Sequence, residues 1–398
     1  DLLPIGGTAF GVDRLSAFVV GVIALGAIPA ALYAIGYTRA YAGKHSLAAM
    51  AFAFNVFIAA MILVALARNV LTFLALWEIM SLASYFLVIT ECERADTLRA
   101  GWVYFVMTHA GFAALLMGFL LLAQATGTMS FAEWGAVAAK LDATSRNVIF
   151  ILFALGFGSK AGIIPLHVWL PLAHPAAPSH VSALMSGVMI KLGVYGLMRV
   201  AFDWLGVGPL WWGATILIVG AVSGVLGVLY ALVDADLKRV LAYSSVENIG
   251  IIMLGLGAAM LFQASNLPGL AALALVAGLY HTLNHAAFKS LLFMSAGAVL
   301  QATHTRNMEE LGGLIKRMPQ TAVFFLIGSL AIAALPPFNG FISEWLTFQS
   351  LLLSFQISAH TVNLIFTFGV AALALTSGLA VACFVRACSI MFRYLSSL

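Results

Sequence analysis

The chain has 398 residues, of which 63% are hydrophobic and only 9% are charged. Soluble domains carry about 25% charged residues, so this composition excludes an ordinary soluble protein and indicates a polytopic membrane protein. The net charge of +4 is spread over the loops without a clustered basic patch, which argues against nucleic-acid binding. Three cysteines at positions 92, 383 and 388 have neither metal-ligand nor disulfide-framework spacing. Because the sequence starts at Asp1 without an initiator methionine, we expect it to be part of a longer protein.

Eleven apolar stretches are long enough to cross a bilayer, which takes about 20 residues each. The loops after the odd-numbered spans hold nine lysines and arginines, whereas the other side holds five, counting Arg199 near the end of the sixth span. The positive-inside bias therefore places the first set of loops in the cytoplasm. The predicted spans are Leu15–Gly36, Leu47–Ala67, Val70–Thr90, Gly101–Ala123, Val148–Leu170, Val181–Phe202, Leu210–Val233, Leu241–Phe262, Leu270–Leu300, Thr321–Phe348 and Val362–Phe392.

The third and fifth spans each carry an ionisable residue at membrane depth. Glu78 is a lone carboxylate, and a buried carboxylate either becomes neutral or pairs with a cation. Lys160 is the cation that we expect it to meet, and separating the two would favour release of the lysine's proton. Pro165 and three nearby glycines predict a helix break directly after Lys160. Neither unsatisfied backbone nor a charge can face lipid, so the break and the lysine together predict a polar path inside the membrane.

The sixth and ninth spans add further titratable residues. Ser179 is typical of a helix cap, whereas Lys191 lies too deep for that role and would be the relay station after Lys160. His281, His285 and Lys289 follow one another at intervals of four residues, so they rise about 12 Å while turning only about 80° around the helix. Such a stripe suits proton transfer along bridging waters, and a packed polar seam between helices is the structural alternative.

A second interruption is predicted at residues 335–340, where two prolines precede an asparagine and a glycine. Glu344 follows it, either as an exit site or as a partner of Lys289. Two broken segments, each the fourth in a run of five spans, suggest repeated halves of the kind found in transporters. We therefore divide the chain into a leading helix and loop, 1–46, a first five-helix repeat, 47–203, and a second five-helix repeat with the C-terminal end, 204–398.

Several other features are weaker candidates. His109, His167 and Glu247 are further ionisable residues at membrane depth, and a polar contact between helices is the structural alternative for any single residue. The seven stronger candidates, from Glu78 to Glu344, are together harder to explain as structural contacts, because each ionisable residue costs about 2–3 kcal/mol to insert into the membrane. The segment 233–239 is most simply a solvated cytoplasmic turn. No Walker, Rossmann, haem, iron–sulfur or hydrolase motif is present in the sequence, so we expect no cofactor or metal site and no redox or hydrolytic centre in this chain.

Four long motifs resemble a known family, and together they cover nearly the whole chain. They are LHVWLPLAHPAAPSHVSALMSGVMIKLGVYG, DLKRVLAYSSVENIG, HTLNHAAFKSLLFMSAGAV and LPPFNGFISEW. They are similar to the antiporter-like, proton-translocating subunits shared by respiratory complex I, Mrp cation/proton antiporters and membrane-bound hydrogenases. Within that family, SVENIG and HPAAPSHVSALMSGVMIK resemble most the branch of hydrogenase-4 and formate hydrogenlyase component B.

The resemblance implies an all-α membrane fold with two inverted five-helix repeats, each containing a broken helix. It also implies that the chain lacks two leading helices, the last core helix and any lateral helix of the family. The terminal charged site of the family is a lysine in some branches and a glutamate in others. The family's charged residues, from the membrane glutamate to that terminal site, fall on Glu78, Lys160, Lys191, His281, His285, Lys289 and Glu344.

By this resemblance, the chain is a proton-pumping subunit of an oxidoreductase complex in a bacterial or archaeal inner membrane, driven by a redox arm in partner subunits. Any nickel–iron centre, iron–sulfur clusters or quinone would belong to those partners. One alternative is an Mrp-type subunit that exchanges sodium for protons. The other is a structural membrane anchor whose charges only hold helices together, in which case Lys160→Ala would disturb assembly but leave proton transport per complex unchanged.

Overall fold

The structure, a computed structural model, describes residues 7–138, 140–357 and 359–393. Asp1 and the last five residues of the predicted second repeat lie outside these ranges. The described ranges are helical and contain no β-strand. The α-helices are α1 (Arg14–Tyr37), α2 (Leu47–Leu66), α3 (Val70–Val88), α4 (Ala95–Thr126), α5 (Trp134–Ala138), α6 (Ala143–Ala161), α7 (Leu170–Ala176), α8 (Ser179–Leu184), α9 (Ile190–Met198), α10 (Leu210–Val233), α11 (Leu237–Ala264), α12 (Pro268–Thr303), α13 (Leu314–Arg317), α14 (Pro319–Ile332), α15 (Asn339–Leu352) and α16 (His360–Cys388).

The predicted polytopic membrane fold is confirmed. Nine helical rods in the described residues are long and apolar enough to cross a membrane, and they correspond to nine of the predicted spans. One of these rods, Ser179–Trp204, combines α8 and α9 with two π-helical segments, Met185–Met189 and Arg199–Trp204. The other two predicted spans are the broken ones, which are divided into α6 and α7 and into α14 and α15.

Helix ends are fixed by local hydrogen bonds that the sequence supplies. The side chains of Asp13, Ser46, Asn69 and Asp142 each accept the backbone N–H of the third residue that follows, at the starts of α1, α2, α3 and α6. Such caps satisfy amide groups that have no partner within the helix. The predicted repeats, 47–203 and 204–398, stay a prediction. The first boundary lies at the α2 cap, and the second lies within the last π-helical turn, just before α10.

Two rods form the centre of the molecule. The most apolar 18-residue windows of Ser179–Trp204 and Leu237–Ala264 are 100% buried, whereas those of α1, α2 and α4 are only 33% buried. A helix that is buried on all sides and still carries charged residues must find polar partners on its neighbours. These two central rods hold Lys191 and Glu247, so two of the buried charged residues lie at the centre of the fold.

Glycines allow α10 to lie directly against α11. A Cβ atom at Gly220 of α10 would lie 2.8 Å from Gly250 O of α11. A Cβ atom at Gly227 of α10 would lie 2.6 Å from Glu247 N of α11. Small residues at helix contacts are the usual way for membrane helices to pack closely. This packing sets the position of the α11 residues that contact α12.

Candidate functional site

Lys160 lies in the last turn of α6 and is only 3% exposed. Its Nζ donates a hydrogen bond to Ser81 Oγ of α3 at 3.0 Å. The same atom lies 5.7 Å from the ring centroids of Trp77 and Tyr104, on α3 and α4. Aromatic faces attract a desolvated cation, so three side chains from two helices stabilise the ammonium group away from lipid.

The helix break after Lys160 is buried at residues 161–163, whereas Pro165 and Val168 further along it are exposed. Gly162 has a positive φ of 76° and ends α6, a conformation that suits glycine. Trp169 Nε1 donates to Ser159 O at 3.0 Å, and Ile164 N donates to Ser223 Oγ of α10 at 3.0 Å. Backbone groups freed at membrane depth require protein or water partners, and these bonds supply them.

Glu78 pairs with a histidine and not with Lys160. Its Oε1 lies 2.8 Å from His109 Nε2 of α4, and the two side chains keep 26% and 33% exposure. Among the described residues, no ion pair joins Glu78 to Lys160, so the direct contact suggested by the sequence is not formed. Ser81, one turn further along α3, takes the lysine's hydrogen bond. Glu78 remains close enough for its charge to act on Lys160.

Lys191 is held by the π-helical segment Met185–Met189. It is 3% exposed, and its Nζ donates to Ser186 O at 2.8 Å. The Ser186 hydroxyl in turn shares a hydrogen bond of 2.7 Å with Ser245 of α11. Single π-helical turns inside helices are frequent at functional sites. This turn ties Lys191 to the second central rod.

Lys160 and Lys191 lie on helices that meet at the backbone. A Cβ atom at Gly193 of α9 would lie 2.7 Å from the backbone N of Ala161 of α6. Ala161 directly follows Lys160, and Gly193 is two residues after Lys191. The glycine therefore allows the Lys160 and Lys191 turns to pack against each other.

The histidines of the α12 stripe are fully buried. His281 Nδ1 lies 2.9 Å from Ser343 Oγ of α15, and its Nε2 lies 3.1 Å from Asn248 Oδ1 of α11. The His285 ring follows at 6.5 Å between centroids, nearly parallel to His281. Neither nitrogen of His285 has a hydrogen-bond partner among the described residues. The predicted stripe thus exists as a continuous buried face.

Lys289 completes this stripe, and Glu247 lies beside it. Lys289 Nζ donates to Leu241 O at 2.8 Å and to Ser244 Oγ, both on α11. Glu247, one turn beyond Ser244, is 1% exposed, and its Oε2 has no partner within the described ranges. Its charge interacts with those of Lys289 and Glu344. Among the described residues no ion pair or hydrogen bond joins Lys289 to Glu344, so the predicted pairing of these two side chains is not formed as a direct contact.

Glu344 lies just after the second helix break and is 4% exposed. Its Oε2 accepts a hydrogen bond from Ser377 of α16 at 2.6 Å. At the break itself, Asn284 Nδ2 of α12 donates to Asn339 O at 2.8 Å. Glu344 thus lies at the junction of α15 and α16, beyond the α12 stripe.

The expectation of a solvated turn at 233–239 is wrong for Lys238. This lysine is 2% exposed, and its Nζ donates to Ala177 O, just beyond α7, at 2.8 Å. Arg306 donates to Pro175 O of α7 at 2.7 Å. Cations at a helix C-terminus are favourable because the last carbonyls lack partners. Lys238 and Arg306 therefore both bind carbonyl groups at the C-terminal end of α7 and hold this helix in place.

A polar cleft of about 1440 Å³ leads to Lys238 from the face predicted to be cytoplasmic. It is lined by the loops that follow α1, α3, α10 and α12, together with the end of α7. His174 of α7 and His285 of α12 are both buried, without hydrogen-bond partners in the described ranges. Sequence reasoning left His174 out because no periodic pattern of polar residues surrounds it.

A network of charged side chains surrounds Asp13 at the start of α1. Asp13 accepts hydrogen bonds of 2.7 Å from Arg68 and Arg199, and Arg199 also contacts Asp203 and Ser16. Burial opposes ionisation of Asp13, but bonds from Arg199, the Ser16 N–H and Arg68 lower its pKa below the usual value. Arg199 is 6% exposed, and its hydrogen bonds to Asp13 and Ser16 tie the Lys191 rod to α1.

Asp13→Asn is expected to lower the melting temperature at pH 7. In the folded protein the pKa of Asp13 lies below its unfolded value of about 3.9. The ionised carboxylate therefore stabilises the fold fully above about pH 3.9, and this stabilisation is lost as the pH falls through the folded pKa. The difference between wild type and variant should therefore shrink in acid. Thermal unfolding in detergent from pH 7 to pH 3 tests this, with the exposed Glu133→Gln as control. A difference that grows in acid would contradict it.

The comparison with known proteins identifies the family. The family model described as "NADH:quinone oxidoreductase/Mrp antiporter, TM" matches residues 67–376. The chain belongs to this family. It is 48% identical over 382 residues to hydrogenase-4 component B of Escherichia coli, covering 96% of this chain and 56% of that protein. It is 39% identical over 338 residues to formate hydrogenlyase subunit 3 of the same organism, covering 85% and 54%.

The likeness extends to solved structures. A chain in the Mrp complex from Dietzia superposes with a TM-score of 0.83 and 26% sequence identity, covering 97% of this chain and 67% of that chain. The chain thus spans little more than half the length of the two Escherichia coli relatives. Among the described residues, no group of three or more histidine, cysteine, aspartate or glutamate side chains is placed to hold a metal ion.

Proposed function

We propose that the chain is a proton-translocating membrane subunit that passes protons along buried carboxylate, lysine and histidine side chains. The observation that carries this proposal is His285, which is fully buried one turn from Lys289 on α12 while both ring nitrogens lack partners in the described residues. Buried polar atoms normally bind protein or ordered water, so an unsatisfied titratable ring supports a hydrated proton path more than a structural seam. The proposed row is Glu78, Lys160, Lys191, His281, His285, Lys289, Glu247 and Glu344.

We further propose that the chain works inside a larger complex of the inner membrane of a bacterium or archaeon. Glu78 and His109 remain partly exposed, and lipid accommodates charged groups poorly. A neighbouring membrane subunit would cover them. The similarity to hydrogenase-4 component B and formate hydrogenlyase subunit 3 supports a redox arm in that complex. A nickel–iron centre, iron–sulfur clusters or quinone would then lie in partner subunits.

Sodium/proton exchange is the second candidate, and the structural likeness to the Mrp complex favours it. In that case, the carboxylates and hydroxyls near Glu344 would meet sodium ions as well as protons. Oxygen ligands suit hard cations of this kind. The Ser377 hydroxyl and the Glu344 carboxylate supply such oxygens at 2.6 Å from each other.

Native purification followed by transport measurements tests the proposal. The complex is isolated from its own organism, its subunits are identified, and proton uptake is followed in liposomes with and without sodium. We expect redox partner subunits and sodium-independent proton uptake that Lys191→Met lowers per assembled complex. Strictly sodium-dependent exchange would favour the second candidate. Unchanged uptake per complex in Lys191→Met would favour the structural anchor.

Glu247→Gln is expected to lower proton transport per assembled complex by about 10²-fold, the usual scale for loss of a proton-transferring group. Glutamine keeps the size of the side chain but cannot carry the proton between Lys289 and Glu344. Glu309→Gln is the matched control, since that side chain is 67% exposed at the surface. A wild-type rate of proton transport in the Glu247→Gln variant would show that Glu247 does not carry protons in the proposed row.

A further inference from the structure

His109 contacts two oxygen atoms, and this geometry fixes the hydrogen on one of its two ring nitrogens. Its Nδ1 is 2.8 Å from Phe105 O, one turn earlier on α4. Its Nε2 is 2.8 Å from Glu78 Oε1 on α3. The ring also lies against the Phe105 ring, with centroids 3.9 Å apart. These contacts hold the imidazole between two helices in one orientation.

The carbonyl oxygen of Phe105 can only accept a hydrogen bond, so Nδ1 carries a hydrogen. The short contact between Nε2 and Glu78 Oε1 then needs one more hydrogen. If it is on Nε2, the pair is an imidazolium and a carboxylate. If it is on Oε1, the pair is a neutral imidazole and a carboxylic acid. The pair therefore holds one mobile proton in either form.

We propose that His109 is a proton carrier that extends the row beyond Glu78. In the transfer step, the O–H bond on Glu78 Oε1 breaks as an N–H bond forms on His109 Nε2, and a neutral pair becomes an ion pair. The step needs no other reactant, because only one proton moves. This inference rests on the proposed proton-translocating function.

The exposures of the residues give the direction of this extension. Lys160 is 3% exposed, whereas the side chains of Glu78 and His109 are 26% and 33% exposed. Each step along this series lies closer to the surface of the chain. His109 is therefore the station from which a proton leaves, or at which it enters, at the α3–α4 edge.

His109→Gln in the native complex tests the proposal. Glutamine can donate to Phe105 O or Glu78 but cannot carry an additional proton, so transport per complex should fall by about 10²-fold. The matched control is His45→Gln, which removes another histidine–glutamate pair, the 3.5 Å contact with Glu93 outside the spans. That variant should transport at the wild-type rate.

Infrared difference spectra during turnover give a signal that would be absent if His109 had only a structural role. With ring-labelled histidine, the wild-type complex should show an imidazole-to-imidazolium signal that His109→Gln removes and His45→Gln keeps. If His109→Gln transports normally while Glu78→Gln does not, the inference is overturned and the proposed function stands. If Glu78→Gln and Lys160→Ala both transport normally, the proposed function itself fails.

Discussion

Replacing Lys160 by alanine is expected to abolish proton transport by assembled complexes, with a fall of about 10²- to 10⁴-fold. The ammonium group is the only part of the side chain that binds a proton, and it lies between the Glu78–His109 pair and the Lys191 rod. Removing it leaves the Ser81 hydroxyl, which does not titrate in this range. The measurement is proton uptake in liposomes, normalised to the amount of assembled complex.

Two further variants separate transport from folding. Lys160→Met keeps most of the volume packed against Trp77 and Tyr104, so it should assemble normally and still fail to transport. Lys316→Met changes an exposed lysine and should leave transport unchanged. If Lys160→Ala lowers only the amount of complex, and each remaining complex transports at the wild-type rate, the structural anchor is the better account.

Gly250→Ala is expected to destabilise the protein by about 3 kcal/mol, the upper end of the usual cost of overpacking. A Cβ atom at this position of α11 would overlap the backbone of Gly220 and Gly224 on α10. Backbone atoms cannot rotate away as a side chain can, so the two helices must separate. Thermal unfolding in detergent measures the change.

The same substitution should also lower transport, since α11 supplies the groups that hold Lys289 and His281. Gly378→Ala is the matched control, because a Cβ atom on that part of α16 meets only open space. A melting temperature for Gly250→Ala equal to that of the control would show that the α10–α11 contact is looser than described.

The spans and breaks were predictable because bilayer thickness and backbone chemistry leave few choices. The seventh span was predicted at Leu210–Val233, and α10 has these same bounds. Two consecutive prolines predict the second break at 335–340, and in the structure the break between α14 and α15 lies at 333–338. The α12 stripe followed from helical spacing alone. The repeat boundaries stay a prediction.

Contacts between helices were less accessible from the sequence. Glu78 was expected to meet Lys160, but α4 places His109 at the carboxylate instead. Lys238 was expected in water, but the end of α7 provides a carbonyl acceptor that draws it inside. Such partners are decided by which helix faces are neighbours, and helical periodicity gives the face of one helix but not the identity of its neighbour.

The central claim is a hydrated corridor that joins the buried titratable groups, and the most direct test is a high-resolution cryo-electron microscopy map of the native complex. We predict ordered waters on His285 Nδ1 and Nε2 and on Glu247 Oε2, in a hydrogen-bonded series from Lys191 to Glu344. Dry apolar packing around those atoms, with no water between the charged side chains, would contradict the account.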